Sequence, residues 1–432
     1  MRKNKVDIIT LGCSKNLVDS ERLMRQFVAH GYRIAHNPKR VTGEIVVVNT
    51  CGFIGDAQEE SIETILALGE AKRSGRIGAL YVMGCLSERF REEMSAELPE
   101  VDGFYGKFDW PKLLERLGKA WRNDLALDRI VTTPAHYAYI KISEGCDRRC
   151  AYCAIPSMTG VHRSVPLEAL ENEVRQLVEQ GAMEFQLIAQ DLTYYGRDRY
   201  ARSALPALVE RLADISGVRW LRLHYGYPAE FPEDLLRVMR ERDNVCRYMD
   251  IAIQHISDNV LRRMRRRVTA DETRSLIVRM REAVPGLHLR TTVMTGFPGE
   301  TDDDVEQLAR FVSEMRFERL GGFTYSHEQG TYAAAHYVDD IPVEVKQQRL
   351  DYIMSIQEDI AAELNAAKIG ERMPVIVDRE EDDFYVGRTE FDSPEVDPEV
   401  LISKVRPLTV GRFCLVDITE ATPFDLYAQP VQ

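Results

Sequence analysis

The chain has 432 residues, of which 44% are apolar and 29% charged, and its net charge is −13. This make-up excludes a largely disordered chain, a collagen and a small disulfide scaffold, and the acidic balance argues mildly against a protein whose main task is gripping nucleic acid. At about 150 residues per domain, the length allows roughly three domains. No run approaches the roughly 18–20 uninterrupted apolar residues of a membrane helix, and the apolar part of the N-terminus is too short for a secretory signal. A cytoplasmic protein with no membrane partner is expected. Thiols stay reduced in that compartment, so cysteines that cluster among the eight present point to metal or catalysis before disulfides.

Residues 1–130 alternate strand-like and helical patterns. Strand runs at 6–10, 44–48 and 79–83 are separated by helical periodicity over 16–30 and 56–72, which implies an open parallel α/β domain. Each strand ends alike, in IITLGC, VVVNTC and LYVMGC. Cys13, Cys51 and Cys85 therefore stand just past the carboxyl ends of three strands, the edge at which open α/β sheets bind ligands. Three thiols in register, 38 and 34 residues apart, predict ligation of a metal or cluster. Gly12, Gly52 and Gly84 beside them let the backbone come close to a bulky ligand. Isolated Cys246 and Cys414 read instead as small buried apolar residues.

Residues 131–368 repeat the alternation, with strands at 137–143, 185–189, 220–224, 248–253, 287–294 and 320–325. Amphipathic helices lie between them, as at 167–180 and 303–315. Six βα units fall short of the eight of a closed barrel, so a partial, TIM-like (βα)6 barrel is expected. After its first strand comes KISEGCDRRCAYCAIPSMTG, which spaces Cys146, Cys150 and Cys153 as C-x3-C-x2-C. Thiolates are soft ligands suited to zinc or iron–sulfur clusters. A structural zinc wants a fourth ligand, for which His162 is the nearby candidate. A cubane on three cysteines leaves one iron open to substrate. The run RRMRRR at 262–267 reads as a solvated helix face, with a phosphate patch as the other option. A long helix over 343–368 closes this region, with Gly370 as its stop.

Residues 369–432 lose helical periodicity. Five short β-type runs with turns between them predict a small antiparallel barrel. Residues 371–432 hold fourteen acidic and six basic side chains, a net −8.

The central motif, with Tyr152 before its last cysteine, resembles that of the radical S-adenosylmethionine (SAM) superfamily. With the N-terminal trio, QDLTYYG at 190–196, DIAIQHISD at 250–258, RTTVMTGFPGET at 290–301, YSHEQGTYA at 325–333 and a TRAM-like terminal barrel, almost the whole chain resembles the methylthiotransferase family. The resemblance implies SAM and two 4Fe–4S clusters, one on Cys146, Cys150 and Cys153, and an auxiliary, sulfur-carrying one on Cys13, Cys51 and Cys85. It also implies reductive cleavage of SAM to a 5′-deoxyadenosyl radical, abstraction of hydrogen from an unactivated carbon, and joining of a methylated sulfur to that carbon. An electron donor such as a flavodoxin or ferredoxin and a source of sulfur are implied partners.

Tyr152, Gln190, Asp191, Arg290 and Thr292 are candidate cofactor-binding residues. Gln190 and Asp191 end the second barrel strand and have a plain polar cap as their alternative. Arg290, if interior, needs a ligand or an acidic partner. Family members often carry Ser-Arg-Pro after the cysteine motif; here the run is Ser164-Val165-Pro166, with Arg163 shifted forward.

The family divides between tRNA and ribosomal-protein substrates. An acidic terminal barrel repels phosphate and attracts a basic protein, and residues 387–397 resemble the ribosomal-protein subgroup. The expected reaction is methylthiolation of the β-carbon of an aspartate in the twelfth protein of the small ribosomal subunit. A tRNA adenosine methylthiotransferase is the alternative within the family. Outside it, a non-catalytic iron–sulfur scaffold or sulfur carrier and a zinc-bound RNA-binding module remain.

Overall fold

The computed structural model describes residues 2–431. Strands β1 (Arg2–Thr10), β2 (Arg33–His36), β3 (Gly43–Thr50), β4 (Ala79–Gly84) and β5 (Gly103–Phe104) form one parallel sheet in the order β2-β1-β3-β4-β5. Alternate strand residues cover its two faces. Val6, Ile8, Ile45 and Val47 pack on Leu23, Met24 and Phe27 of helix Ser14–Ala29, while Val46, Val48, Leu80 and Val82 pack on helices Gly55–Arg73 and Cys85–Glu97. Strands β2 and β5 escaped the sequence pattern because four and two residues are too few to show a period.

The central sheet is also wholly parallel. It contains β6 (Tyr137–Lys141), β9 (Glu184–Ile188), β10 (Trp220–Gly226), β11 (Val245–Gln254), β12 (His288–Thr295) and β13 (Arg319–Thr324), in the order β13-β12-β11-β10-β9-β6. Its edges, β6 and β13, do not pair, which leaves the barrel open as six βα units require. A short antiparallel pair, β7 (Ser143–Glu144) and β8 (Arg163–Ser164), brackets the cysteine loop. Helix Val343–Ala366 packs on β13 and on helix Asp302–Met315. Among the described residues no helix is long and apolar enough to cross a membrane.

The terminal strands β14 (Arg372–Glu380), β15 (Phe384–Arg388), β16 (Val400–Ser403), β17 (Phe413–Ala421) and β18 (Leu426–Pro430) close a barrel in the order β14-β15-β16-β18-β17. It is not antiparallel throughout, as the sequence suggested: β16 and β18 run parallel. Five is an odd number, and strand direction cannot alternate all the way round an odd ring.

This barrel is joined to the central one by buried charge. Glu184 on β9 takes Arg388 at 2.8 Å and Arg222 at 3.0 Å, Arg388 also holds Asp378 at 2.6 Å, and His136 reaches Asp378 at 2.8 Å. Beside them Trp220 meets Phe413 edge-on, with ring centroids 4.7 Å apart. The segment after β15 adds Asp392 on Arg319 at 2.8 Å, Asp397 on Tyr248 at 2.8 Å, and Glu395 against the hydroxyls of Tyr137 and Tyr139 at 3.3 Å. Part of the terminal domain's surplus acid therefore faces inward, and its net charge overstates its outward acidity. The tetrad Glu380, Glu381, Asp382 and Asp383 remains exposed.

Glu184→Gln is expected to destabilise the protein by about 3 kcal/mol, because it leaves the buried Arg222 without a carboxylate and Arg388 with Asp378 alone; a denaturant midpoint measures this. Burial opposes the carboxylates of Glu184 and Asp378, but Arg388 and Arg222 hold the first below its ordinary pKa, and His136 and Arg388 the second. Their stabilising contribution is then complete above the ordinary carboxylate range of about pH 4 and fades as pH falls through the depressed values. Trp220 emission in a Trp110→Phe/Trp121→Phe background should change on acidification below about pH 4, and earlier in Glu184→Gln.

Candidate active site

The three N-terminal cysteines occupy one edge. Cys13 caps helix Ser14–Ala29, Cys85 opens helix Cys85–Glu97, and Cys51 follows β3. A side chain on Gly12, which has φ +83°, would lie 2.8 Å from the Cys51 sulfur, and one on Gly52 would lie 2.6 Å from the backbone of Leu86. The strand ends approach this closely only with glycine there. Burial raises the thiols of Cys51 and Cys85, the latter to about 11, and neighbouring thiols of the trio add to the rise. Burial also opposes the Cys13 thiolate, but the ammonium groups of Lys15 and Lys107 and the backbone N–H groups of Asn16 and Lys15 together outweigh it and hold the thiol below its ordinary value. The starts of two helices aimed at this edge favour thiolate further.

Behind the trio, a buried chain of charge runs into the central barrel. Lys107 lies 3.9 Å from the Cys85 sulfur and donates to Asn16 Oδ1 at 3.2 Å and Asp19 Oδ2 at 3.1 Å. Asp19 also takes the ammonium of Lys141, which reaches Glu144 at 2.7 Å, and Gln190 donates to Glu144. Burial works against the Glu144 carboxylate, yet Lys141 and Lys107 pull its pKa down to about 2. Lys141 ends β6, Glu144 lies just past it on β7, and Gln190 lies just past β9, so the N-terminal domain sits over the barrel mouth. Lys15 completes this junction, its ammonium 3.8 Å from the ring centroid of Tyr225 on β10. Unlike Lys107 and Lys141, Lys15 makes no ion pair among the described residues.

The second trio lies on the loop between β7 and β8. Burial raises the thiols of Cys146, to about 12, and of Cys153. The Cys150 sulfur is 3.9 Å from the Tyr227 hydroxyl. Arg266 donates to the Tyr152 hydroxyl at 2.9 Å and lies over the ring of Tyr227. Arg148, between two of the cysteines, donates to Asp191 Oδ2 at 2.9 Å, and its guanidinium lies 4.3 Å from the Tyr227 ring centroid. Arg163, by contrast, is exposed on β8. Neighbouring thiols add to the rise at Cys51, Cys85, Cys146 and Cys153, yet among the described residues no three His, Cys, Asp or Glu side chains close on a single metal ion. His162 is engaged with the Ser164 hydroxyl at 2.9 Å.

The remaining candidates divide. Asp191 is occupied by Arg148 and by Thr193 at 2.6 Å. Arg290 lies 3.4 Å from Asp250 on β11 and 3.2 Å from Asp397 of the terminal domain, so both of the acidic groups that its interior position demanded come from the chain itself. Thr292 follows two residues on, half-buried. Gln190 keeps a buried, unpartnered Oε1, as do Ser143 its Oγ and Gln254 its Oε1. These polar atoms stand at or just past the ends of β6, β9 and β11, where a polar ligand would satisfy them. Tyr225 and Gln254 also hold φ of +62° and +70°, the kind of strain that gathers at ligand sites. Sequence reasoning passed over Lys15, Lys107, Glu144, Arg148, Tyr225 and Tyr227. Lys15, Glu144 and Arg148 carried a signal, each standing two residues from a ligand-type cysteine.

Residues 140–312 match the Radical SAM superfamily, residues 5–106 the Uncharacterized protein family UPF0004, and residues 369–431 the TRAM domain. Among curated proteins, the chain is 66% identical over 429 residues to the ribosomal protein uS12 methylthiotransferase RimO of Parabacteroides distasonis, with 99% of each chain covered. It is 65% identical to the protein of that name from Porphyromonas gingivalis, over all of both chains, and 61% identical to that of Bacteroides thetaiotaomicron, over 99% of each. Among solved structures, the radical S-adenosylmethionine methyltransferase TsrM from Kitasatospora setae aligns at TM-score 0.55 and 15% identity, over 74% of this chain and 73% of that one. The cobalamin-dependent S-adenosylmethionine radical enzyme OxsB aligns at 0.54 and 10%, over 81% and 56%. These two likenesses concern the fold alone. With near-complete coverage at such identity, the chain belongs to the radical SAM methylthiotransferase family represented by these RimO proteins.

Proposed function

We propose that this enzyme replaces a hydrogen on the β-carbon of an aspartate of ribosomal protein uS12 with a methylthio group. The observation that carries the choice of substrate is Lys15, an ammonium that makes no ion pair with a carboxylate among the described residues, placed two residues from Cys13 and over Tyr225 at the barrel mouth. A carboxylate substrate supplies the missing charge, whereas a nucleobase does not. The exposed acidic tetrad at 380–383 offers complementary charge to a basic ribosomal protein.

In this proposal Cys146, Cys150 and Cys153 hold one 4Fe–4S cluster and Cys13, Cys51 and Cys85 the other; when bound, the first supplies reductive cleavage of SAM and the second a methylatable sulfur. Ser143, Gln190 and Gln254 turn their free polar atoms to the bound SAM. Lys107 offsets negative charge at Cys85. Lys15 fixes the substrate carboxylate, the Tyr225 ring beneath it sheds water from that contact, and the N-terminal domain shields the mouth from solvent. A one-electron carrier of flavodoxin or ferredoxin type and an external sulfur source complete the cycle.

The test is mass spectrometry on two acceptors, uS12 and unmodified tRNA, after incubation with anaerobically reconstituted enzyme, SAM, sulfide and reductant. One methylthio group added to an aspartate of uS12, with tRNA unchanged, is the expected result. Addition to tRNA alone would overturn the substrate assignment.

A further inference from the structure

The arginine run at 262–267 takes no part in the function proposed above. It sits at the end of helix Asp258–Arg263 and in the turn that follows. With Arg149 it lines an open cleft of about 480 Å³, which also includes Leu261, Val268 and Thr269. Arg149, Arg262, Arg265 and Arg267 are exposed, and none of the four pairs with a carboxylate among the described residues. The two acids on the rim are engaged elsewhere: Asp258 accepts the backbone N–H of Ala270 at 2.7 Å, and Glu272 closes a capping box on Thr269. A cluster of four unneutralised arginines on a chain of net charge −13 marks a surface for an anionic partner.

The position of the cleft says which kind of partner. The backbone N–H of Ala151, between Cys150 and Cys153, donates to the carbonyl of Met264 within the run at 2.8 Å. Arg266, buried, donates to the Tyr152 hydroxyl at 2.9 Å, and its guanidinium lies 4.4 Å from the ring centroid of Tyr227, whose hydroxyl is 3.9 Å from the Cys150 sulfur. Arg149, itself on the cysteine loop, lines the cleft, which therefore borders that loop directly. Among the described residues the aromatic ring beside the cleft is Tyr332, which is stacked on His336 at 3.9 Å and carries the Arg265 guanidinium at 4.3 Å, so it is already engaged and is a poor stacking platform for single-stranded nucleic acid.

We propose that this arginine cleft is the docking surface for a small acidic one-electron carrier protein, which reduces the centre held by Cys146, Cys150 and Cys153 through the adjoining loop. The carrier is oxidised by one electron, the thiolate-held centre is reduced by one, and no atom is transferred. This assignment rests on the proposed role of that trio, and its test separates the two.

The test compares the reconstituted enzyme with its Arg262→Glu/Arg267→Glu variant, using a flavodoxin as the carrier. Affinity is measured by calorimetry at low and high salt, and reduction of the enzyme by stopped-flow absorbance with flavodoxin hydroquinone and, separately, with dithionite. The wild type should bind flavodoxin in a salt-sensitive way. The variant should bind at least about tenfold more weakly and accept electrons from flavodoxin correspondingly more slowly, with dithionite-driven SAM cleavage unchanged. Unaltered flavodoxin affinity and electron transfer in the variant would overturn the assignment. So would a variant that loses affinity for ribosomal RNA while keeping flavodoxin, an outcome that would make the cleft a nucleic-acid surface. If dithionite drives no SAM cleavage in the wild type, the role given to the trio fails, while the binding measurements still decide whether the carrier docks here.

Discussion

Replacing Lys15 by methionine is expected to lower kcat/KM for uS12 by about 10- to 100-fold, the equivalent of a charge-assisted hydrogen bond of about 1.5–3 kcal/mol. The side chain keeps its length and its packing over Tyr225 but loses its charge. Its neighbours Lys107 and Lys141 are both tied to Asp19 and cannot turn to substrate without leaving that carboxylate buried and under-compensated. A purely structural Lys15 would give the same loss with every acceptor. A carboxylate-binding Lys15 gives a loss that depends on the acceptor: with uS12 carrying asparagine in place of the target aspartate, wild type and Lys15→Met should perform alike, both poorly. Lys15→Arg should recover part of the activity, since the charge returns with a different reach. Iron content and visible absorption of Lys15→Met should match the wild type. Equal losses with both acceptors would remove Lys15 from substrate recognition.

The second large effect separates the two cysteine trios. Cys150→Ala is expected to lose about half of the reconstituted iron, as one of two cubanes would account for, and to abolish SAM cleavage. Cys85→Ala should also lose about half of the iron, yet still cleave SAM and form no methylthio product. The basis is the spatial division of the thiols: Cys85 lies on the N-terminal sheet edge beside Lys107, and Cys150 on the barrel loop beside Tyr227. If Cys85→Ala lost SAM cleavage along with its iron, the separation of roles would be wrong.

Much of this arrangement was legible in the chain. Three strands ending in Gly-Cys or Thr-Cys, each followed by a helical pattern, already placed Cys13, Cys51 and Cys85 on one edge, because a parallel sheet puts its carboxyl ends together. The open barrel followed from six strand–helix repeats. What stayed hidden depends on contacts between distant segments. Lys107 is 88 residues from Asp19, and Lys141 is 122, so no local pattern joins them. Arg290 had to find an anion because an interior guanidinium needs one; Asp250 and Asp397, the latter 107 residues on, both lie beside it. The net charge of the terminal domain was read correctly as a sum but not as a surface, since Asp378, Asp392 and Asp397 are drawn inward by Arg388, Arg319 and Arg290. The single parallel pair of the small barrel, β16 with β18, follows from closure and not from any residue.

The central claim is that hydrogen leaves the β-carbon of an aspartate held at this mouth. Its most direct test uses uS12 with deuterium at the β-carbon of its aspartates, incubated with the reconstituted enzyme and SAM, with the 5′-deoxyadenosine analysed by mass spectrometry. The account predicts deuterium in the 5′-deoxyadenosine and its loss from the one aspartate that gains the methylthio group. Deuterium-free 5′-deoxyadenosine formed alongside methylthiolated uS12 would contradict it.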